Sequence, residues 1–245
     1  AGLFVSYSNR LLVRNLTSTR NERYGMRVVS VFGLTLYNSS LTLNGDTGIE
    51  IHGSYRVVID SCTISGNSRI GAFLKSSKFI TFFNSTFKRN NLYGAMMYLC
   101  IRSLVARCTI TGSEYGVAVY GLSRVFLTGN IILNNGDGVT VDDSNVVARY
   151  NLVSGNRRGL YTYTISLPLH TDARYNWWGD ASGPSGLGPG SGDMIIRAGI
   201  STLLYEPWLE SPDVPVFPNS LMDIYALYAR LGFLNATVVY GSSLD

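Results

Sequence analysis

Apolar and polar positions alternate along this chain in short bursts that recur at a nearly fixed interval. Glycines stand at Gly2, Gly25, Gly48, Gly71, Gly94, Gly116, Gly138 and Gly159, separated by 23, 23, 23, 23, 22, 22 and 21 residues. One residue after each lie Leu3, Met26, Ile49, Ala72, Ala95, Val117, Val139 and Leu160. Three residues after lie Val5, Val28, Ile51, Leu74, Met97, Val119, Val141 and Thr162. This alternation predicts a strand with one buried face in every repeat. A second inward column, Leu41, Ile64, Phe87, Ile110, Ile132 and Val153, predicts another strand. Two residues before each member stand Ser39, Cys62, Ser85, Cys108, Asn130 and Asn151, the small or polar groups that a turn inside the coil needs. Four residues before the glycines stand Asn21, Asn44, Asn67, Asn90, Gly112, Asn134 and Gly155. Asn and Gly tolerate left-handed backbone, so this column predicts a recurrent tight turn, and stacked Asn side chains can hydrogen-bond along a ladder.

A coil of 21–23 residues made of short strands satisfies its backbone only by stacking on its neighbours, ~4.8 Å apart. A helical-repeat solenoid would need a sustained 3.6-residue period, and a leucine-rich repeat its L-x-x-L-x-L pattern; neither is present. The repeat over residues 2 to about 165 resembles the right-handed parallel β-helix superfamily with pectate-lyase-like or NosD-like repeats. The run Ala173-Arg174-Tyr175-Asn176-Trp177-Trp178-Gly179 echoes Ala148-Arg149-Tyr150-Asn151 and leads through Gly183-Pro184 to Tyr205-Glu206-Pro207-Trp208. That pattern is similar to the closing turn of such proteins. The resemblance implies an all-β fold, a single-stranded right-handed parallel β-helix, over residues 1–210. It implies no activity, because the fold hosts lyases, hydrolases, epimerases, tailspikes and non-enzymatic surface proteins. Residues 211–245 read as a linker with Pro212, Pro215 and Pro218, then a short helix near 220–231 and a strand over 236–240. This tail would cap its own last coil or form an arm to a neighbouring molecule.

Composition narrows the picture. Charged residues make up 15% of the chain, with 26 Gly and 16 Tyr, which suits a turn-rich β protein. A net charge of +4 without any Lys/Arg run gives no nucleic-acid site. No apolar run is long enough to span a membrane. Cys62, Cys100 and Cys108 have no metal-ligand spacing, Cys62 and Cys108 sit a full coil too far apart to pair, and neither a metal nor a cofactor is expected. The absence of Gln suggests a thermophile. The chain starts at Ala1 without a signal-peptide pattern, so a processed or trimmed N-terminus is expected. The repeat is already running at Gly2, which places Leu3, Phe4 and Val5 at an exposed end. Open coil ends need covering, which points to a second copy stacked head to tail, to the remainder of a larger chain, or else to a poorly capped monomer.

Outward positions carry the candidate chemistry. Phe73, Met96, Tyr98, Tyr120, Tyr161 and Tyr163 form an aromatic strip suited to subunit contact or to sugar rings. Arg27, Glu50, His52 and Lys75 lie on the same strip, as a solvated charge cluster or as the base and cations of a lyase. Asp137, Asp142 and Asp143 offer paired carboxylates for glycoside hydrolysis, although Asp137 falls where a turn Asp is ordinary. His170 with Asp172 reads as structural, and the Gly-Pro-rich run 183–192 as a tight loop. Sequons occur at Asn15, Asn38, Asn84 and Asn235, three of them in one outward column, which makes the chain a candidate glycoprotein. No complete catalytic set emerges. The expected function is that of a non-enzymatic extracellular or cell-surface β-helix, a head-to-tail filament subunit or a module of a larger protein. A polysaccharide-binding or polysaccharide-degrading protein is the alternative.

Overall fold

The structure, a computed structural model, describes residues 1–165 and 167–214 and is a parallel β-solenoid. The first coil contributes the strands Leu3–Ser6, Asn9–Arg14 and Thr17–Thr19, and later coils repeat that set. The strands stack into sheet A with ten strands, sheet B with nine and sheet C with seven. Pairing follows the sequence interval: Leu3 faces Met26 in sheet A, Leu11 faces Leu34 in sheet B, and Ser18 faces Leu41 in sheet C. The helix and strand expected at 220–231 and 236–240, and Asn235, lie outside the described residues.

The inward columns are those the alternation predicts. Ile49, Ile51, Leu74, Ile64, Phe87 and Ile110 have no solvent exposure. Phe82 of sheet B meets Phe87 of sheet C edge to face, with ring centroids 5.1 Å apart. Each such side chain contributes about 1.5–3 kcal/mol by leaving water.

All three bends of a coil follow one rule. A residue in the left-handed region is followed by an inward residue that is polar or Cys in every coil but the first two, where Leu16 and Val31 take the place. At the bend from sheet C to sheet A, Arg20, Leu43 and Gly66 adopt φ of 54°, 56° and 64°, and Asn21, Asn44 and Asn67 come next. The side-chain oxygen of the inward residue accepts the backbone N–H of its counterpart one coil earlier. The Asn21 N–H and Nδ2 donate to Asn44 Oδ1 at 3.1 and 2.8 Å, and those of Asn44 donate to Asn67 Oδ1 at 3.0 and 2.9 Å. The same arrangement joins Val31, Ser54 and Ser77 between sheets A and B, and Cys108, Asn130 and Asn151 between sheets B and C.

Two expectations are corrected here. Of the column expected to turn left-handed, Gly112, Asn134 and Gly155 do, but Asn21, Asn44, Asn67 and Asn90 do not; the residue before each of these does, and their carboxamides form the ladder instead. The inward column also leaves the positions counted back from the glycines: after Asn90 it runs through Ser113, Asn135 and Asn156, not Gly112, Asn134 and Gly155, and the ladder breaks at the unpartnered Ser113 hydroxyl before resuming from the Ser113 N–H to Asn135 Oδ1. One residue has been lost between the ladder and the repeat glycine. A second loss comes in sheet B, where Arg102 has no counterpart between Arg124 and Val125. Together these two losses take the coil from 23 to 21 residues. The ladder then ends on Asp193, whose Oδ2 accepts from Asn156 N–H and Nδ2 at 2.9 and 2.7 Å.

The repeat glycines answer to space rather than to φ. A Cβ on Gly71 would lie 2.4 Å from the Gly94 carbonyl oxygen and 2.6 Å from Asn90 Nδ2. Replacing Asn67 with Ala strips the acceptor from the buried Asn44 N–H, and should cost about 3 kcal/mol in a urea titration. Gly71→Ala should cost a similar amount, because backbone rather than a flexible side chain blocks the new methyl.

Candidate functional site

Sheet A presents two outward rows along the solenoid axis. Register places Arg27, Glu50, Phe73, Met96 and Ala118 in one row, and His52, Lys75, Tyr98, Tyr120, Asp142 and Tyr163 in the next. The face therefore passes from cationic through aromatic to acidic. At the aromatic stage Tyr93, Met96, Tyr98, Tyr120, Asp142 and Asp143 line a shallow groove of about 580 Å³.

Local chain geometry builds this groove. The bend after Tyr120 holds one extra residue, and Gly121 and Leu122 are both left-handed, with φ of 66° and 62°. The Tyr98 ring lies against Gly121, where an added Cβ would come within 2.8 Å of it. Tyr93 stacks on Tyr115 at 5.0 Å and meets Tyr120 edge-on at 6.5 Å. Burial, with the hydrogen bond between Tyr120 and Tyr93, pushes the Tyr120 phenol well above its ordinary range, so it stays protonated. Burial first, and then the neighbouring Asp143, raise the Asp142 carboxyl. Asp143 accepts from Thr164 Oγ1 at 2.5 Å, whereas no donor among the described residues reaches the Asp142 carboxylate. The groove thus offers aromatic surface beside a carboxylate that is open to solvent.

The strip expected from sequence is partly assembled here. Met96, Tyr98 and Tyr120 share the groove, Phe73 lies one coil before Met96, and Tyr163 lies one coil beyond Asp142. Tyr98 is the exposed member of the strip, and the others are half-buried. Tyr161 is engaged elsewhere, beneath the Arg158 guanidinium at 4.5 Å. Sequence reasoning passed over Tyr93 and Tyr115, although both directly precede repeat glycines, a position that Tyr24 also holds.

Other candidates separate from the groove. Asp137 is not a turn residue but the first residue of the strand Asp137–Asp142, and it is fully buried. Its carboxylate takes Arg158 Nε and Nη2 at 2.7 and 2.5 Å and Arg157 at 3.3 Å, a structural clamp distant from Asp142 along the strand. Arg27 pairs with Glu50 at 3.4 Å. The three thiols are buried, and burial pushes Cys62 and Cys100 up to about 11 and Cys108 up to about 12. Asn15, Asn38 and Asn84 are exposed, but their column is the left-handed bend between sheets B and C, with φ of 53°, 46° and 46°. Asn suits that backbone whether or not it is glycosylated. At the first coil Phe4 is 56% exposed, Leu3 is half-buried, and Val5 faces the core.

The family described as right handed beta helix region matches residues 1–124 and, overlapping, 76–167. The chain belongs to the right-handed β-helix family. No curated protein sequence matches this β-helix protein. Its fold is similar to that of the periplasmic alginate epimerase AlgG, with 16% identity, a TM-score of 0.55, and coverage of 78% of this chain and 51% of that one. A mutant form of the same epimerase gives 16% identity, a TM-score of 0.58, and coverage of 77% and 51%. Pectate lyase Pel9A gives 12% identity, a TM-score of 0.48, and coverage of 84% and 69%. The β-helix protein spans about half the length of the epimerase, and likeness at this identity shows shared fold alone.

Asp172 provides a pH-dependent check on the last coils. Burial raises its carboxyl, but hydrogen bonds from Arg174 at 3.0 and 2.9 Å and from Arg149 outweigh this and hold it at about 2. Because the folded chain titrates lower than the unfolded one, this contribution is complete above about pH 4 and fades as pH falls through about 2. Asp172→Asn should cost about 2 kcal/mol in urea at pH 7, and the gap from wild type should close near pH 2.

Proposed function

We propose that this β-helix protein is an extracellular or periplasmic polysaccharide-binding protein whose ligand lies along the outer face of sheet A. The observation that carries the reading is the groove of Tyr93, Met96, Tyr98 and Tyr120 beside the open carboxylate of Asp142. Tyrosine faces stack on the C–H faces of pyranose rings, and a carboxylate accepts from sugar hydroxyls. Both rows run along the solenoid axis and repeat every ~4.8 Å, so successive sugars of an extended chain meet successive coils. The similar epimerase acts on alginate, also a linear polysaccharide.

Binding fits the groove better than cleavage does. Lys75 stands three coils from Asp142, ~14 Å at the spacing of stacked strands, too far for base and cation to act on one sugar. Affinity electrophoresis of the full chain through gels carrying soluble linear polysaccharides should show retardation by at least one of them. Tyr98→Ala and Tyr120→Ala should each weaken that retardation about tenfold while leaving the unfolding midpoint of Tyr98→Ala unchanged. Release of reducing ends or unsaturated products from the same polymers would replace this reading with an enzymatic one.

A further inference from the structure

A second surface runs along the edge where sheet A turns into sheet B. Tyr7, Ser30, Gly53, Ser76, Leu99 and Leu122 make that turn in successive coils, all of them left-handed, with φ between 48° and 62°. Backbone hydrogen bonds hold them in line: the Ser76 N–H donates to the Tyr98 carbonyl at 2.9 Å, and the Leu99 N–H to the Tyr120 carbonyl at 3.2 Å. Serine and glycine suit an exposed bend. Leu99 and Leu122 do not, because left-handed backbone strains a residue that carries a Cβ, and they are 40% and 52% exposed. Gly53 makes the same turn without strain, so the fold does not ask for leucine there. Ile165 and Leu167, between the strands Arg158–Thr164 and His170–Asp172, carry the apolar line into the next coils. Ile200, whose N–H donates to the Thr164 carbonyl at 2.9 Å, completes it, and all three side chains are exposed.

Cations line the same edge on its sheet B side. The strands Asn9–Arg14, Phe32–Tyr37, Tyr55–Asp60, Lys78–Phe83 and Ile101–Ala106 have Arg10, Gly33, Arg56, Phe79 and Arg102 as their second residues. All five are left-handed, a recurring bulge that raises a ridge beside the apolar line. The Arg56 guanidinium lies 5.3 Å from the Tyr55 ring, and that of Arg102 lies 5.5 Å from the Phe79 ring. Arg10, Arg56, Lys78, Arg102 and Arg124 are exposed, and among the described residues none of them pairs with a carboxylate. These five cations exceed the net +4 of the whole chain. Asp142 and Asp143 are the acidic residues of the edge, and Asp143 is occupied by Thr164 Oγ1.

From Tyr7 to Ile200 the edge runs ~38 Å at the spacing of stacked strands. Its apolar side chains stand singly on convex bends rather than in a patch. A folded protein partner needs a continuous, closely fitting area. A nucleic acid would use the cations and leave the apolar side chains in water. A lipid headgroup layer is fluid, so it closes around separate apolar side chains while its anionic groups meet the cations. We infer that the edge between sheets A and B is a peripheral docking surface for an anionic lipid bilayer. Leu99, Leu122, Ile165, Leu167 and Ile200 enter the headgroup layer, and the five cations meet lipid phosphates. The inference does not rest on the polysaccharide reading.

The test is flotation of the full chain with vesicles of phosphatidylcholine alone and of phosphatidylcholine mixed with phosphatidylglycerol. Wild type should float with the mixed vesicles and not with the neutral ones, and added salt should weaken the association. Two double variants probe the two components, Leu99→Gly with Leu122→Gly and Arg56→Gly with Arg102→Gly. Glycine accepts the left-handed backbone, so both should keep the thermal midpoint near that of wild type. Each pair should weaken partition onto mixed vesicles about 25-fold, from about fivefold per side chain. The proposal is overturned if mixed vesicles do not bind wild type, if neutral vesicles bind it as tightly, or if the leucine pair binds like wild type. A loss confined to the arginine pair would mark a surface for polyanions in general and overturn the lipid assignment.

Discussion

Each coil of this solenoid bends three times, and at each bend a backbone N–H turns into a dry interior. An unpaired donor there costs about 1–3 kcal/mol, so a fold with three per coil has to meet most of them. The solution is a side chain supplied by the following coil. Ser54 and Ser77 serve the bend between sheets A and B, Asn130 and Asn151 the bend between B and C, and Asn44 and Asn67 the bend between C and A. The short hydroxyl serves one corner, while the longer carboxamide also donates back into the coil, as Asn67 does to the Leu41 carbonyl at 3.1 Å. Interior polarity in this protein is therefore structural.

With the interior assigned to apolar columns and bend ladders, the outer faces are free to differ. On sheet A an extra bend residue after Tyr120 opens a groove, and on sheet B a recurring bulge raises a ridge. The two features have opposite electrostatic character, one ending in Asp142 and Asp143 and the other built on arginines. A repeat that fixes its inside so completely can carry two unrelated surfaces on one backbone.

The fold was legible because its strongest constraints repeat. Ile49 and Ile51 alternate with Glu50 and His52, and the same alternation returns one coil later with Ala72, Phe73, Leu74 and Lys75. The ladder was only half legible. Asn21 to Asn90 were the right residues with the wrong backbone, since a side-chain chain and a left-handed turn both favour Asn and here occupy adjacent positions. Counting back from the glycines then failed at Ser113, because a deletion between two landmarks shifts one against the other. Surface sites were harder still. Tyr93 joins the groove through ring packing with Tyr115 and Tyr120 across coils, and Asp137 is buried by arginines twenty residues further on; neither relation leaves a periodic trace.

The carboxamide ladder has a direction. Asn44, Asn67, Asn135 and Asn156 each accept from the coil before and donate to the coil after, so each behaves as a bifunctional unit in a head-to-tail run of hydrogen bonds. Asp193 takes both donors of Asn156 on one oxygen and, when ionised, has nothing to pass on. In the language of polymerisation it is a chain stopper: replacing a nitrogen by an oxygen ends propagation at a defined length while leaving the last donors satisfied.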